Sequence, residues 1–256
     1  PEELDNASKV INYYHTSLIV LRHVANAKDV NAVLGYMEQT GKVPEVSPIA
    51  PPEVSARDTA ELMDPGDYFN IQVRQNLKQS YRGLFSARAQ FYDNFNKFLS
   101  YKQAKETAKA GKLLDENYRL SVEMSEYKQV IFDILSPLTE QAESELLADE
   151  PLKDQIMAMR KMSGTVQSIM NLYSRKHAMD GMRIDLKMAE LEKELKAAEK
   201  IPAVTGYDEE LKNFQSFLST VKSFMNDMQK ARSKGAYSDK EYQAMSEAYE
   251  YGLSVI

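Results

Sequence analysis

A carboxylate-bridged metal centre inside a helical protein needs a Glu three residues ahead of a His, so that both ligands project inward from one turn. None of the three histidines meets this spacing: Asn12 stands three ahead of His15, Val20 ahead of His23 and Ser174 ahead of His177. His15 and His23 are separated by about 12 Å along a helix, too far to share an ion. The chain has no cysteine, which excludes disulfides, thiolate metal sites and cysteine nucleophiles. Its ten glycines are scattered, so there is no phosphate-cradling loop, and no Gly-x-Ser-x-Gly elbow occurs. No catalytic residue, metal or cofactor is assigned, and the chain reads as a non-enzyme.

Two polar residues interrupt otherwise apolar rows. Arg88 lies between Leu84 and Phe91, and His177 between Tyr173 and Gly181. A buried arginine can hold a ligand, or it can bury its stem and satisfy its head locally. A buried histidine can titrate as a switch, or sit satisfied at a helix seam. With Tyr13, Tyr14 and Tyr92, these two are the candidate contacts to a ligand or partner.

A basic row, Arg74-Lys78-Arg82, runs at one-turn spacing beside Tyr81 and Phe85. Over residues 68–100 five cations (Arg74, Lys78, Arg82, Arg88, Lys97) stand against Asp93, a net charge of +4. Cations interleaved with aromatics can serve nucleic acid or anionic headgroups. The row also flanks an apolar stripe, where long cationic side chains are expected on any bundle helix. The whole chain carries −6, the wrong sign for general nucleic-acid binding, and no nucleic-acid partner is expected. Seven methionines between Met157 and Met188 fit either an adaptable binding surface or a core packed on two sides.

These residues must be positioned by helices. Five stretches carry apolar or aromatic residues at alternating spacings of three and four: Leu4–Ala25 (through Ala7, Ile11, Tyr14, Leu18 and Leu21), Leu77–Phe98, Leu120–Leu138, Ile156–Tyr173 and Tyr207–Met228. Such spacing places one stripe on one helix face. Asp5 and Asp29 are the expected N-caps of the first two helices, and a helix of about 30 residues is expected from Tyr68 to Leu99. Pro137 must kink or restart its helix. Residues 156–198 form one very long helix with a stutter, or two helices broken at Asp180-Gly181. A capping box at Ser238–Glu241 opens a last helix. Five of the nine prolines fall between Gly41 and Asp67, which reads as a long exposed loop. No period-two run marks a strand. The length allows one domain or two; the long stripes favour a single all-α domain over 1–256, an elongated bundle of antiparallel helices with coiled-coil-like packing.

The segment Ile11-Asn12-Tyr13-Tyr14-His15-Thr16-Ser17-Leu18 resembles the N-terminal Tyr-Asn segment of the YiiG-like family of bacterial lipoproteins. Phe91-Tyr92-Asp93-Asn94-Phe95, followed by Phe98, Tyr101, Ala108, Lys109, Gly111, Lys112 and Leu113, is similar to that family's paired-aromatic helix and Lys-Gly-Lys turn. The stretch Lys102–Glu106 departs from the family's Tyr- and Asp-rich pattern. The resemblance implies a helical envelope protein on the periplasmic side, tethered by an N-terminal lipid anchor removed with the missing start and otherwise without membrane contact. It implies no functional residues. The expected partner is a protein or envelope component, bound through the proline-rich loop and neighbouring tyrosines. Two alternatives stand beside it: a cytosolic coiled-coil-like adaptor that oligomerises, and a small-ligand-binding or hydrolytic bundle.

Overall fold

The computed structural model describes residues 2–39, 50–174 and 180–234, which contain eight α-helices and no strand. The helices assort into two compact units, Pro1–Thr139 and Glu140–Ile256, each described by itself below. The apolar stripes predict a single domain over 1–256; the boundary between units falls inside one helix, beside Pro137, whose absent N–H and bulky ring weaken the helical ladder there. The Thr139 hydroxyl donates to the Leu135 and Ser136 carbonyls, each at 2.9 Å, and the helix continues through the proline without restarting. None of the helices is long and apolar enough to cross a membrane.

The first unit holds α1 (Glu2–His23), α2 (Ala27–Met37), α3 (Ala56–Met63), α4 (Ile71–Gln103) and most of α5 (Thr107–Leu146). On α4 the predicted stripe is buried: Leu77, Tyr81, Leu84, Phe91, Phe95 and Phe98 are at most 2% exposed. Burying each such ring or aliphatic side chain contributes about 1.5–3 kcal/mol. On α1 the expected stripe is buried only in part: Ala7 and Leu21 are in the core, together with Val10, Tyr13, Ser17, Val20 and Val24 of the neighbouring row, whereas Ile11, Tyr14 and Leu18 are only half-buried and Leu4 is exposed. Two adjacent rows of α1 are apolar enough to bury, and the row containing Tyr13 finds an acceptor for its hydroxyl.

Capping also differs from expectation. Asn26, not Asp29, caps α2, its side chain accepting from the Lys28 and Asp29 amides. Asp29 instead sits in the first turn, where an anion complements the helix dipole. Asn70 caps α4, accepting from the Val73 amide at 2.8 Å. Part of the expected 41–67 loop is helical: Ser55 caps α3, accepting from the Asp58 amide at 3.3 Å. Residues 41–49 lie outside the described residues.

The second unit packs α6 (Lys153–Ser174), α7 (Gly181–Glu199) and α8 (Asp208–Lys234) around Met162, Ile169, Leu191, Phe217, Phe224 and Met228. The Thr165 hydroxyl of α6 reaches Glu194 of α7. Those residues would stand roughly 43 Å apart on one continuous helix, so the two-helix reading holds. Met159, Met162 and Met170 belong to this core. The expected helix after Ser238 lies outside the described residues.

Gly83 of α4 faces the Tyr127 side chain of α5. A Cβ built there would collide with Tyr127 Cζ and stand 2.6 Å from its hydroxyl oxygen, so the ring would have to move. Glycine inside a helix costs about 1 kcal/mol relative to alanine, whereas forcing an extra carbon into a packed seam costs about 1–3 kcal/mol. Gly83→Ala is therefore expected to lower stability in chemical denaturation. A raised midpoint, as helix propensity alone would give, contradicts this packing.

Candidate functional site

Two of the candidate residues meet the same short segment. The Tyr13 hydroxyl, on the fully buried face of α1, donates to the Leu62 carbonyl at 2.8 Å. Leu62 lies in the last turn of α3, whose carbonyls have no partner within the helix, so Tyr13 caps that end from another element. The Tyr13 ring meets Phe69 edge to face, with centroids 5.1 Å apart. Burial, reinforced by Tyr81, pushes the Tyr13 phenol far above its ordinary range, so it stays a neutral donor.

At the other end of the segment, the Arg88 guanidinium donates through Nη2 to the Pro52 carbonyl. Its Nε is buried without a partner. Burial draws the Arg88 pKa down, while Tyr92 and Asp29 favour the charged form. Tyr92, one turn on, is 6% exposed, and burial together with Asp29 raises its phenol. Arg88, Tyr92, Asp29 and Pro52 thus form one cluster where α2, α4 and the proline-rich segment meet.

The arginine on the stripe is not a wet head, and among the described residues it forms no carboxylate pair. It is committed to backbone. Tyr14 is half-buried, on a different side of α1 from Tyr13, with its ring 6.3 Å from that of His15. His177 lies outside the described residues. Of the five candidates, Tyr13 and Arg88 are brought to one segment, Tyr92 joins Arg88, and Tyr14 is carried elsewhere.

With both ends tied, residues 50–67 present charge. Glu53, Arg57, Glu61, Asp64 and Asp67 are exposed, while Leu62 and Pro65 are buried. An eight-residue helix is far below the length at which helices hold in water, so α3 depends on these ties and on its packing.

Other polar groups were missed from sequence although a signal existed. Asn94 and Asn117 both fall at helical spacing on apolar stripes and are 1% and 0% exposed. The Asn94 amide donates to Asn117 Oδ1 at 3.1 Å, and Asn117 donates to the Phe91 carbonyl at 3.1 Å and the Met37 sulfur at 3.3 Å. This network fixes the α2–α4–α5 register; its buried amides are occupied with one another. Lys128 of α5 donates to the Ala25 carbonyl at 3.3 Å, beyond the end of α1, and burial draws its pKa down to about 8. In the second unit, Thr165 lies 2.5 and 3.1 Å from the two Glu194 oxygens. Burial pushes that carboxyl up to about 7 despite the hydroxyl, Lys161 and Lys187. Among the described residues no group of three or more acids and histidines is placed to hold a metal ion.

Comparison with known proteins gives the family. The model of a domain of unknown function, DUF6845, matches residues 1–149, and that of the DUF3829-like C-terminal domain matches residues 151–254. Among solved structures, the chain is similar to an uncharacterised DUF3829-like protein from Bacteroides thetaiotaomicron VPI-5482, 84% identical over the whole of both chains, TM-score 0.89. It is also similar to an alpha helical protein from Bacteroides fragilis NCTC 9343, 56% identical over 99% of each chain, TM-score 0.91. A DUF3829 family protein from Bacteroides vulgatus ATCC 8482 is 40% identical over 56% of this chain and 97% of its own, TM-score 0.52. Comparison with curated proteins finds no match.

The Glu194 position has a consequence for pH. Its folded pKa lies above the ordinary glutamate value of 4.5, so the folded state binds the extra proton between about 4.5 and 7. The associated stability is fully present below about 4.5 and is lost as pH rises through 7, with solvent screening reducing its size at this part-exposed position. Glu194→Gln is expected to flatten this part of the stability profile. An unchanged slope in urea titrations across that window contradicts the assignment.

Proposed function

The chain belongs to the family of DUF6845 and DUF3829-like helical proteins, and on that footing we propose that it is a non-enzymatic binding protein of the bacterial envelope. Its working surface is the segment 50–67, displayed on the first unit, and its partner is a protein or envelope component. In this reading it works at the periplasmic face of the envelope, held there by a lipid anchor.

One observation supports the binding surface. The segment is tied at both ends, by Arg88 at Pro52 and by Tyr13 at Leu62, and still leaves its charged side chains in solvent. A segment fastened through its backbone loses little further freedom when a partner engages its side chains, which lowers the entropic cost of binding. Loops and short elements held on a rigid scaffold are where binding residues concentrate. Five acids (Glu53, Asp58, Glu61, Asp64, Asp67) against Arg57 give residues 50–67 a charge of −4, so a basic partner surface is favoured. The candidate residues act in this reading as supports for the surface and not as contacts within it.

The test is capture from a bacterial envelope extract by the wild-type chain and by Glu53→Ala/Glu61→Ala/Asp64→Ala. All three positions are exposed, so the helical circular-dichroism spectrum is expected to be unchanged while capture weakens at least tenfold. Retention of every captured partner by the triple variant contradicts the proposal.

A further inference from the structure

The basic row at the start of α4 is left unused by the fold. Arg74 is half-buried and Lys78 and Arg82 are exposed, at successive turns of one helix. Elsewhere the chain matches surface cations with acids one turn away: Lys9 with Asp5 at 3.1 Å, Lys97 with Asp93 at 3.1 Å, Arg119 with Glu123 at 3.0 Å and Lys196 with Glu192 at 3.3 Å. Among the described residues, none of Arg74, Lys78 and Arg82 has a carboxylate within 4.0 Å. Like charges at this spacing repel and weaken a helix. Among the described residues the row therefore carries a cost that no ion pair offsets.

An apolar residue shares the row's face. Ile71, three residues ahead of Arg74 and the first residue of α4, is 65% exposed. We propose that Ile71, Arg74, Lys78 and Arg82 form a docking strip for an anionic lipid surface. The three cations meet headgroup phosphates, and Ile71 enters the interface beside them. A row of about 12 Å on a convex helix suits a plane of charge. Single-stranded nucleic acid is disfavoured because the interleaved aromatics that would stack on bases are withdrawn: Tyr81 is fully buried and Phe85 half-buried. Exposed acids more than about 10 Å from the strip are screened at ordinary salt. The proposal goes beyond partner binding through residues 50–67 and is independent of it and of any N-terminal anchor.

The test is co-sedimentation of the whole chain with vesicles of phosphatidylcholine alone and of phosphatidylcholine mixed with phosphatidylglycerol, at low and at raised salt. The expected result is binding to the mixed vesicles only, weakened by salt. Each cation near an anionic surface is worth about fivefold, so Arg74→Gln/Lys78→Gln/Arg82→Gln is expected to lose roughly a hundredfold. The double variant Lys78→Gln/Arg82→Gln changes only exposed positions and is expected to lose about 25-fold with the fold intact. Ile71→Ser is expected to weaken binding severalfold without changing its salt dependence. Absence of binding to mixed vesicles, equal binding to neutral ones, or binding that survives the double variant would each overturn the proposal. Capture by immobilised polyglutamate without vesicle binding would assign the strip to an acidic protein segment and overturn it equally.

Discussion

Tyr13 carries a hydroxyl into a place that water does not reach, and a buried hydroxyl without an acceptor costs about 1–3 kcal/mol. The Leu62 carbonyl, itself left over at the end of a short helix, is the acceptor 49 residues away. Satisfying both groups with one bond turns α1 so that Val10, Tyr13, Val20 and Val24 face inward, and it seats α3 against the bundle. Much of the first unit's detail follows. Phe69 then packs against the Tyr13 ring, Pro65 is buried just beyond the α3 end, and the preceding proline-rich stretch is carried to where Arg88 reaches Pro52.

Several polar residues on the buried faces of the first unit are used in the same way: they tie elements together through backbone or amide groups. Arg88 holds Pro52, Asn117 holds the Phe91 carbonyl, and Lys128 holds the Ala25 carbonyl at a residue with φ of 55°. In the second unit Gln155 holds the Pro202 carbonyl at 3.1 Å, and side chains also tie to one another, Thr165 with Glu194 and Arg232 with Asp185 at 2.8 and 3.1 Å. Groups already engaged inside the fold are poorly placed to act on a substrate. That is why the proposed work of the protein falls on exposed surfaces, whose side chains the fold leaves uncommitted.

The helices were legible because a period of 3.6 is written plainly where one face is apolar and the other charged. The rows on α4, α6, α7 and α8 are buried much as their spacing predicts. The register of α1 was not legible. Its rows Val10-Tyr13-Ser17-Val20 and Ile11-Tyr14-Leu18-Leu21 differ by about 100°, the second is the more apolar, and yet the first is the one buried throughout, with its Tyr13 hydroxyl bonded to the Leu62 carbonyl. Helix α3 was hidden because eight residues in a stretch holding five prolines carry too little periodicity to show. Arg88 was legible as an exception, whereas its destination was not: the Pro52 carbonyl is a backbone group, and no side-chain pattern announces it. The Asn94–Asn117 pair was visible as two polar residues at helical spacing on stripes, yet its pairing needs the α4–α5 register that only the fold supplies.

The account stands or falls on whether Tyr13 and Arg88 hold the displayed segment in place. Amide hydrogen exchange over residues 56–63, compared between the wild-type chain and Tyr13→Phe/Arg88→Leu, measures this directly. Loss of two partly buried ties, at about 1–2 kcal/mol each, is expected to speed exchange there by at least tenfold while the middle of α4 is unchanged. Exchange over 56–63 that stays at the wild-type rate in the double variant would mean that the segment is held by packing alone, and the central claim would be wrong.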